Sequence, residues 1–472
     1  MKYSLNRRNF LKTTTFATGA VMFGVPTLLR GQNLNSKLNF AAIGTGGKGA
    51  SDTNSCAGEN IVALCDVDAS RYAEPAKKYP NAKLFRDFRK MFDELGKGID
   101  AVTVSTPDHF HAIAASAAMR LGKHVYCQKP LTQTIFEARY LLDLARTSGV
   151  VTQMGNQGSA GDGLRRAVEC IQSGIIGQVK EVHIWTNRPI WPQGMDRPAG
   201  SDPVPETLDW DIWLGPAPMR PYKAGVYNPF KWRGWQDFGT GALGDMACHT
   251  VNMPFRALCM GYPTEVEAEA LGGINKESYP TGSKIRFQFP ARKNNALAFD
   301  PMTLWWYDGK HPGADKAVKG KGSNKPPQEL TADIVEMLGD VPGSGCLLIG
   351  DKGKIFSPDD YGAQFFIKRS DEKKYLHFTK HPAVAAVPVT LPRAPKGGHS
   401  QEWISAIKAG KPQDCYSRFA IGAQLTEIML LGCVALRVGK KIEWDGPNMR
   451  ATNCPEAARF IKRENRAGWT LA

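Results

Sequence analysis

No Cys-x-x-Cys pair occurs in this chain, and its ten cysteines stand at irregular spacings. The ligand pattern of a zinc module and a readable disulfide framework are both missing. The apolar stretch near the start, residues 13–29, is broken by Gly19, Gly24 and Pro26. It falls short of the ~20 strongly apolar residues that a spanning helix needs. Charge of one sign is nowhere concentrated: 60 Lys plus Arg oppose 45 Asp plus Glu, a balance of +15, with the basic residues scattered over several segments. That pattern reads as a basic surface, and no nucleic-acid partner is expected. No internal repeat of fixed period is present. What remains is ordinary globular usage, 42% apolar and 22% charged, which excludes a disordered, collagen-like or multi-spanning chain. At roughly 150 residues per domain, 472 residues make two domains or three.

The first thirty residues pair Arg7 with Arg8 and continue through Phe10, Leu11 and Lys12 into the broken apolar stretch. This resembles a twin-arginine export signal. The resemblance implies the export machinery as a partner, a periplasmic or exported location, and a chain that folds and takes up its cofactor before leaving a reducing cytosol. Stability should then not depend on disulfides. Asn6 stands where the motif more often has Ser or Thr, and no clear A-x-A site follows. Cleavage and retention as an anchor both stay open, and a membrane contact follows only from retention.

From residue 38 the apolar runs LNFAAIG, NIVALCD, AVTVSTP, HVYCQKP and VVTQMG alternate with helical segments. Strands alternating with helices predict parallel βαβ units and a doubly wound sheet over 38–156. Residues 178–186 read as a strand, followed to about residue 244 by a Pro-, Gly- and Trp-rich stretch. Six of the eleven tryptophans lie between Trp185 and Trp235, and the stretch reads as a functional loop system. The runs EVEAEALGG, SKIRFQFP, ALAFDPMTLWWYDG, CLLIGDKGKIFSP and AQFFIKR predict a second, mainly antiparallel open sheet, and the chain closes with a helix pair ending near Gly439. The resulting division is a signal segment 1–35, a nucleotide domain 36–160, a substrate-binding and catalytic α+β domain 161–398, and closing helices and tail 399–472.

Gly44, Gly46 and Gly49 form G-x-G-x-x-G directly after the first strand. The first glycine permits a tight turn, the second lets backbone amides approach a pyrophosphate, and the third lets the helix lie on the strand. The acidic residue expected about twenty positions later is Asp66, placed to accept ribose hydroxyls. A carboxylate there repels a 2′-phosphate and favours NAD. Arg71 leaves NADP open.

Three further motifs are Ser105-Thr-Pro-Asp-His-Phe-His111, Gln128-Lys129-Pro130, and Gly244-Asp245-Met-Ala-Cys-His249. Together with the glycine fingerprint they resemble the Gfo/Idh/MocA family of oxidoreductases over nearly the whole chain beyond the signal. The resemblance implies an N-terminal Rossmann-type doubly wound parallel sheet, a C-terminal α+β domain, and closing helices packed near the nucleotide domain. It implies tightly held NAD contacted by Gly44, Gly46, Gly49 and Asp66, with Thr106, Pro107 and His109 beside the nicotinamide. Lys129, Asp245 and His249 take the place of the catalytic trio, and homo-oligomers through the open face of the second sheet are common in the family. The family usually has Glu before the Lys-Pro pair. Gln128 stands there instead, able to bond a ribose hydroxyl but without charge. A cis Lys129–Pro130 bond is also expected at such a turn.

The chemistry follows from the residues as well. Oxidising a secondary alcohol needs a base for the hydroxyl proton while hydride moves to the nicotinamide. Asp245 and His249, four apart, share one helical face, so the carboxylate is expected to orient or share a proton with the imidazole, while Lys129 bonds the reacting oxygen. His109 and His111 have no third ligand nearby, and no metal is expected. Trp232, Arg233 and Trp235, nearest the catalytic helix, are the substrate-side candidates, their flat faces suiting a pyranose. The leading function is an NAD(P)-dependent oxidoreductase acting on a ring hydroxyl or ketone of a sugar, glycoside or cyclic polyol. An alternative is a glycoside hydrolase or lyase working through transient 3-keto oxidation with NAD regenerated. A further one is a non-catalytic sugar- or nucleotide-binding protein.

Overall fold

Short aliphatic runs bounded by Gly and Asp turns make the first six strands: β1 (Asn39–Ile43), β2 (Asn60–Cys65), β3 (Lys83–Phe85), β4 (Ala101–Val104), β5 (His124–Cys127) and β6 (Thr152–Met154). In the computed structural model, which describes residues 37–310 and 324–471, they form one parallel sheet in the order β3-β2-β1-β4-β5-β6. The order reverses between β1 and β4, where a doubly wound sheet opens a crevice at the carboxyl ends of its strands. All of β4 is buried because helices cover both faces. Only β3 was not announced by an apolar run: it is a three-residue edge strand whose Lys83 and Leu84 are exposed. The expected export segment lies outside the described residues.

The second sheet has ten strands, β7 (Val179–Trp185), β8 (Glu265–Leu271), β9 (Gly282–Phe289), β12 (Met302–Gly309), β13 (Gly345–Gly350), β14 (Gly353–Ser357), β15 (Phe366–Arg369), β16 (Leu376–His377), β17 (Ile442–Asp445) and β18 (Arg450–Ala451). A separate hairpin holds β10 (Arg292–Asn294) and β11 (Leu297–Phe299). The order is β16-β15-β14-β13-β7-β12-β9-β8-β17-β18, antiparallel except where β7 meets β12. Along β9 buried and half-buried residues alternate, as they do when one face packs on a core and the other is open.

The closing segment contributes more than helices, since β17 and β18 extend the second sheet beside β8. Its long helix Phe419–Val438 is apolar on nearly every side because it is buried on nearly every side. It packs on helix Ile135–Ser148 beside the parallel sheet and on helix Gly241–Thr250 beside the second sheet, and so joins the two layers. All ten cysteines are free thiols, nine of them buried.

The Trp-rich stretch folds into a small core of its own. Trp210, Trp213, Tyr227, Trp235 and Phe238 pack together, and the buried Arg220 guanidinium lies over the Tyr227 and Phe238 rings while pairing with Asp237. This satellite sits beside the carboxyl ends of the parallel strands through bonds such as His109 to the Trp213 and Phe238 carbonyls.

Candidate active site

Gly44 ends β1 with a φ of +81°, and a Cβ there would lie 2.6 Å from the Ser105 carbonyl oxygen. A Cβ on Gly49 would lie 2.0 Å from the Gly44 oxygen, so helix Lys48–Ser55 rests directly on the turn. Gly46 lines the adjoining cavity opposite Arg71. At the end of β2, Asp66 accepts the Thr45 N–H through Oδ2 at 2.8 Å and the Asp68 N–H through Oδ1 at 3.1 Å. Burial raises the Asp66 pKa, and those two backbone bonds oppose the rise.

A cavity of about 500 Å³ runs from this turn, along β4 and β5, to the Trp-rich satellite. Ser105, Thr106, Pro107 and Asp108 form one wall, and Gln128 and Lys129 the next. These residues fit a dinucleotide. Gly46 and Gly47 line the cavity with nothing within 4 Å of where a Cβ on Gly47 would stand, helix Lys48–Ser55 begins at the same wall with an N-terminus suited to an anion, and the Asp66 carboxylate stands at the end of β2.

The structure brings the expected trio together. Lys129, two residues beyond β5 and just before a cis bond to Pro130, donates from Nζ to Asp245 Oδ1 and to the Asp245 backbone oxygen, both at 2.8 Å. Arg233 Nε donates to the same carboxylate oxygen at 3.2 Å. Burial would raise the Asp245 pKa, but Lys129 and Arg233 prevail and hold it down to about 2. One helical turn on, His249 faces the cavity with its ring edge-on to Tyr361 at 4.9 Å. Burial, reinforced by Lys129, lowers its pKa to about 3, so the imidazole is neutral. Its Nδ1 is sealed off with no hydrogen-bond partner among the described residues. Here the structure corrects one expectation: the Asp245 carboxylate is turned to Lys129 and Arg233 and does not orient His249.

Two further expectations change. His109 is fully buried behind the wall, its ring nitrogens facing the Trp213 and Phe238 carbonyls at 3.0 and 3.3 Å, so it supports the wall without reaching the cavity. Trp235 is likewise a core residue, its Nε1 donating to the Val226 oxygen and its ring edge-on to Tyr227. Trp232 and Arg233 do line the cavity, the guanidinium lying 4.3 Å from the Trp232 ring. His111 sits between the two motif loops, its ring nitrogens facing the Pro130 and Thr106 carbonyls at 2.8 and 2.9 Å, one of which takes its N–H. Among the described residues no group of three His, Cys, Asp or Glu gathers as a metal site.

Residues not singled out from the sequence also reach the site. Asp108, within the Ser105–His111 motif, lines the cavity and accepts the Thr240 hydroxyl at 2.7 Å, and burial pushes its pKa up to about 7. Tyr361 and Arg188 come from loops with no local motif, and only the sheet brings them to the wall.

Residues 38–156 match the oxidoreductase family domain described as an NAD-binding Rossmann fold. Residues 169–273 match the C-terminal alpha/beta domain of the same family. The two matched regions are the N- and C-terminal domains of one family, the Gfo/Idh/MocA oxidoreductases. It is 27% identical over 191 residues to levoglucosan dehydrogenase of Pseudarthrobacter phenanthrenivorans, covering 40% of each chain. It is 30% identical over 132 residues to inositol 2-dehydrogenase of Salmonella typhimurium, 28% of this chain and 39% of that one. The alignments therefore span two fifths or less of these relatives. In fold it is similar to the inositol dehydrogenase homolog of Azotobacter vinelandii complexed with NADH and myo-inositol, with a TM-score of 0.57, 16% identity, and coverage of 87% of this chain and 98% of that one.

Proposed function

We propose that this protein is an NAD-dependent oxidoreductase that transfers hydride between the nicotinamide and a ring hydroxyl or ketone of a sugar, glycoside or cyclic polyol. The observation that carries the reading is Lys129, held by Asp245 at the cavity wall with the neutral His249 beside it. Bound NAD supplies the hydride acceptor. Lys129 donates a hydrogen bond to the substrate oxygen and stabilises charge as it builds there. His249 is in the form that accepts the hydroxyl proton, and with Nδ1 sealed the exchange falls to Nε2. Asp245 stays ionised and holds the ammonium in place. Trp232, Phe230 and Tyr361 give the substrate end of the cavity apolar surface suited to the CH faces of a sugar ring. The levoglucosan and inositol dehydrogenases among the relatives support this substrate class. The Arg7-Arg8 start supports export of the folded protein with its nucleotide in place.

Purified protein screened against glycosides and cyclic polyols should form NADH and a keto product. Lys129→Met and His249→Ala should each lower single-turnover hydride transfer by roughly a hundredfold, the scale of losing positioned acid-base catalysis. NAD should stay bound in both. Hydride transfer near the wild-type rate in either variant would remove that residue from the mechanism. Turnover without accumulation of NADH would move the protein to transient oxidation with net glycoside cleavage.

A further inference from the structure

Gln128 ends the β5 segment one residue before Lys129, stands on the cavity wall and is 5% exposed. Its Nε2 donates to Asp52 Oδ2 at 2.7 Å. The same carboxylate oxygen accepts the Ser105 hydroxyl at 2.8 Å, and Lys48 Nζ donates to Oδ1. Asp52 itself is 3% exposed, on the helix that opens after the glycine turn, and the chemistry described above makes no use of it. On the opposite side the Gln128 amide rests on Gly155, where a Cβ would fall 2.7 Å from both its Cδ and its Nε2. The amide is thus clamped between a carboxylate and bare backbone.

An ionised carboxylate only accepts hydrogen bonds, so the amide must present its nitrogen to Asp52, which frees Oε1 to accept elsewhere. We propose that Asp52 is a positioning residue for the cofactor: it holds the negative charge of this corner and fixes Gln128 as a neutral acceptor for a hydroxyl of the bound nucleotide. A glutamate at position 128 would face Asp52 across a hydrogen-bond distance, and two carboxylates cannot both stay ionised there. Exchanging the two side-chain types restores one donor and one acceptor: an amide at position 52 donates to a carboxylate at position 128. The proposal rests on the NAD reading of the cavity.

The test uses the full chain, with NAD and NADH dissociation constants from quenching of tryptophan fluorescence and with thermal melts alongside. Gln128→Glu should weaken NAD binding at least about tenfold, the scale of one lost charge-assisted hydrogen bond. Asp52→Asn should weaken it several-fold, and the double variant Asp52→Asn/Gln128→Glu should return to within about threefold of wild type. Wild-type affinity in Gln128→Glu, or a double variant as weak as the product of the two single losses, overturns the proposal. Should Gln128→Glu fail to fold, the double variant decides: folded and NAD-binding supports the exchange, unfolded or non-binding overturns it. A wild-type chain that does not bind NAD overturns the cofactor reading itself.

Discussion

Single residues in this site are set by what surrounds them rather than by their ordinary chemistry. Asp245 and Asp108 are both buried carboxylates near Lys129, yet one is held at about 2 and the other raised to about 7. The difference is contact: Asp245 bonds the Lys129 ammonium and the Arg233 guanidinium, whereas Asp108 bonds only the Thr240 hydroxyl and feels those cations at a distance. A carboxyl whose folded pKa lies above its unfolded value of 3.8 costs nothing when protonated in both states. It becomes a liability as pH rises through the interval up to about 7 and stays one above it. Asp108→Asn keeps an acceptor for Thr240 and removes that charge. It should therefore be more stable than wild type at pH 8, by on the order of 4 kcal/mol at most, with a correspondingly higher melting temperature, and the gap should close near pH 4. Melts across that range check the sign. An equal gap at both pH values would mean that Asp108 does not titrate as described.

The nucleotide turn shows at the scale of the element why glycine is required. Helix Lys48–Ser55 begins against the backbone of the turn it follows, with no side chain between Gly49 and the Gly44 oxygen. Gly49→Ala pushes a methyl into a space of 2.0 Å bounded by backbone, which cannot rotate away. The expected cost is about 1–3 kcal/mol, with NAD affinity reduced as the turn shifts. Gly58→Ala is the control, because nothing lies within 4 Å of its added Cβ. A comparison of melting temperatures and NAD titrations for the two variants tests the claim. Equal behaviour would show that the helix moves off the turn without loss. The helix carrying Asp245 and His249 obeys the same logic: its i, i+4 spacing sets both side chains toward one wall, and their partners come from elsewhere in the chain.

Across the whole molecule, buried polar ties hold the closing segment to the rest. Arg165, 1% exposed on helix Asp162–Gln172, donates to Glu402 on helix Gly398–Ala409 and to the Ser159 oxygen, with its guanidinium 4.4 Å from the Tyr416 ring. Glu402 accepts the Tyr416 N–H at 2.8 Å through its other oxygen. Glu402→Ala leaves an uncompensated buried cation, and the expected loss is about 3–5 kcal/mol. Arg165→Met/Glu402→Leu removes both charges and should melt above the single variant. If the double variant instead melts below it, the pair contributes more than mutual neutralisation. Farther along, Arg463 reaches Glu137, Gln133 and the His109 oxygen, so the tail braces helices Asp108–Arg120 and Ile135–Ser148.

Period and local chemistry sufficed for much of this. Alternating apolar runs announce five of the six parallel strands, the spacing of Gly44, Gly46, Gly49 and Asp66 marks the nucleotide turn, and the Asp245 to His249 interval puts both on one helical face. These are local facts, fixed by dihedral preference and side-chain spacing within a few residues. Long-range placement decided the rest. The β3 edge strand is too short and too polar to show a period, and β17 and β18 join the second sheet from a segment that reads as helices and tail. Whether a tryptophan lines a cavity or fills a core, as Trp232 and Trp235 do respectively, depends on neighbours far away in the chain. The Lys129 contact of the Asp245 carboxylate, the Asp52 contact of Gln128 and the edge of Tyr361 on His249 all join residues 76 or more positions apart. Sequence spacing fixes the direction in which a side chain leaves its own element, and only packing fixes what it meets.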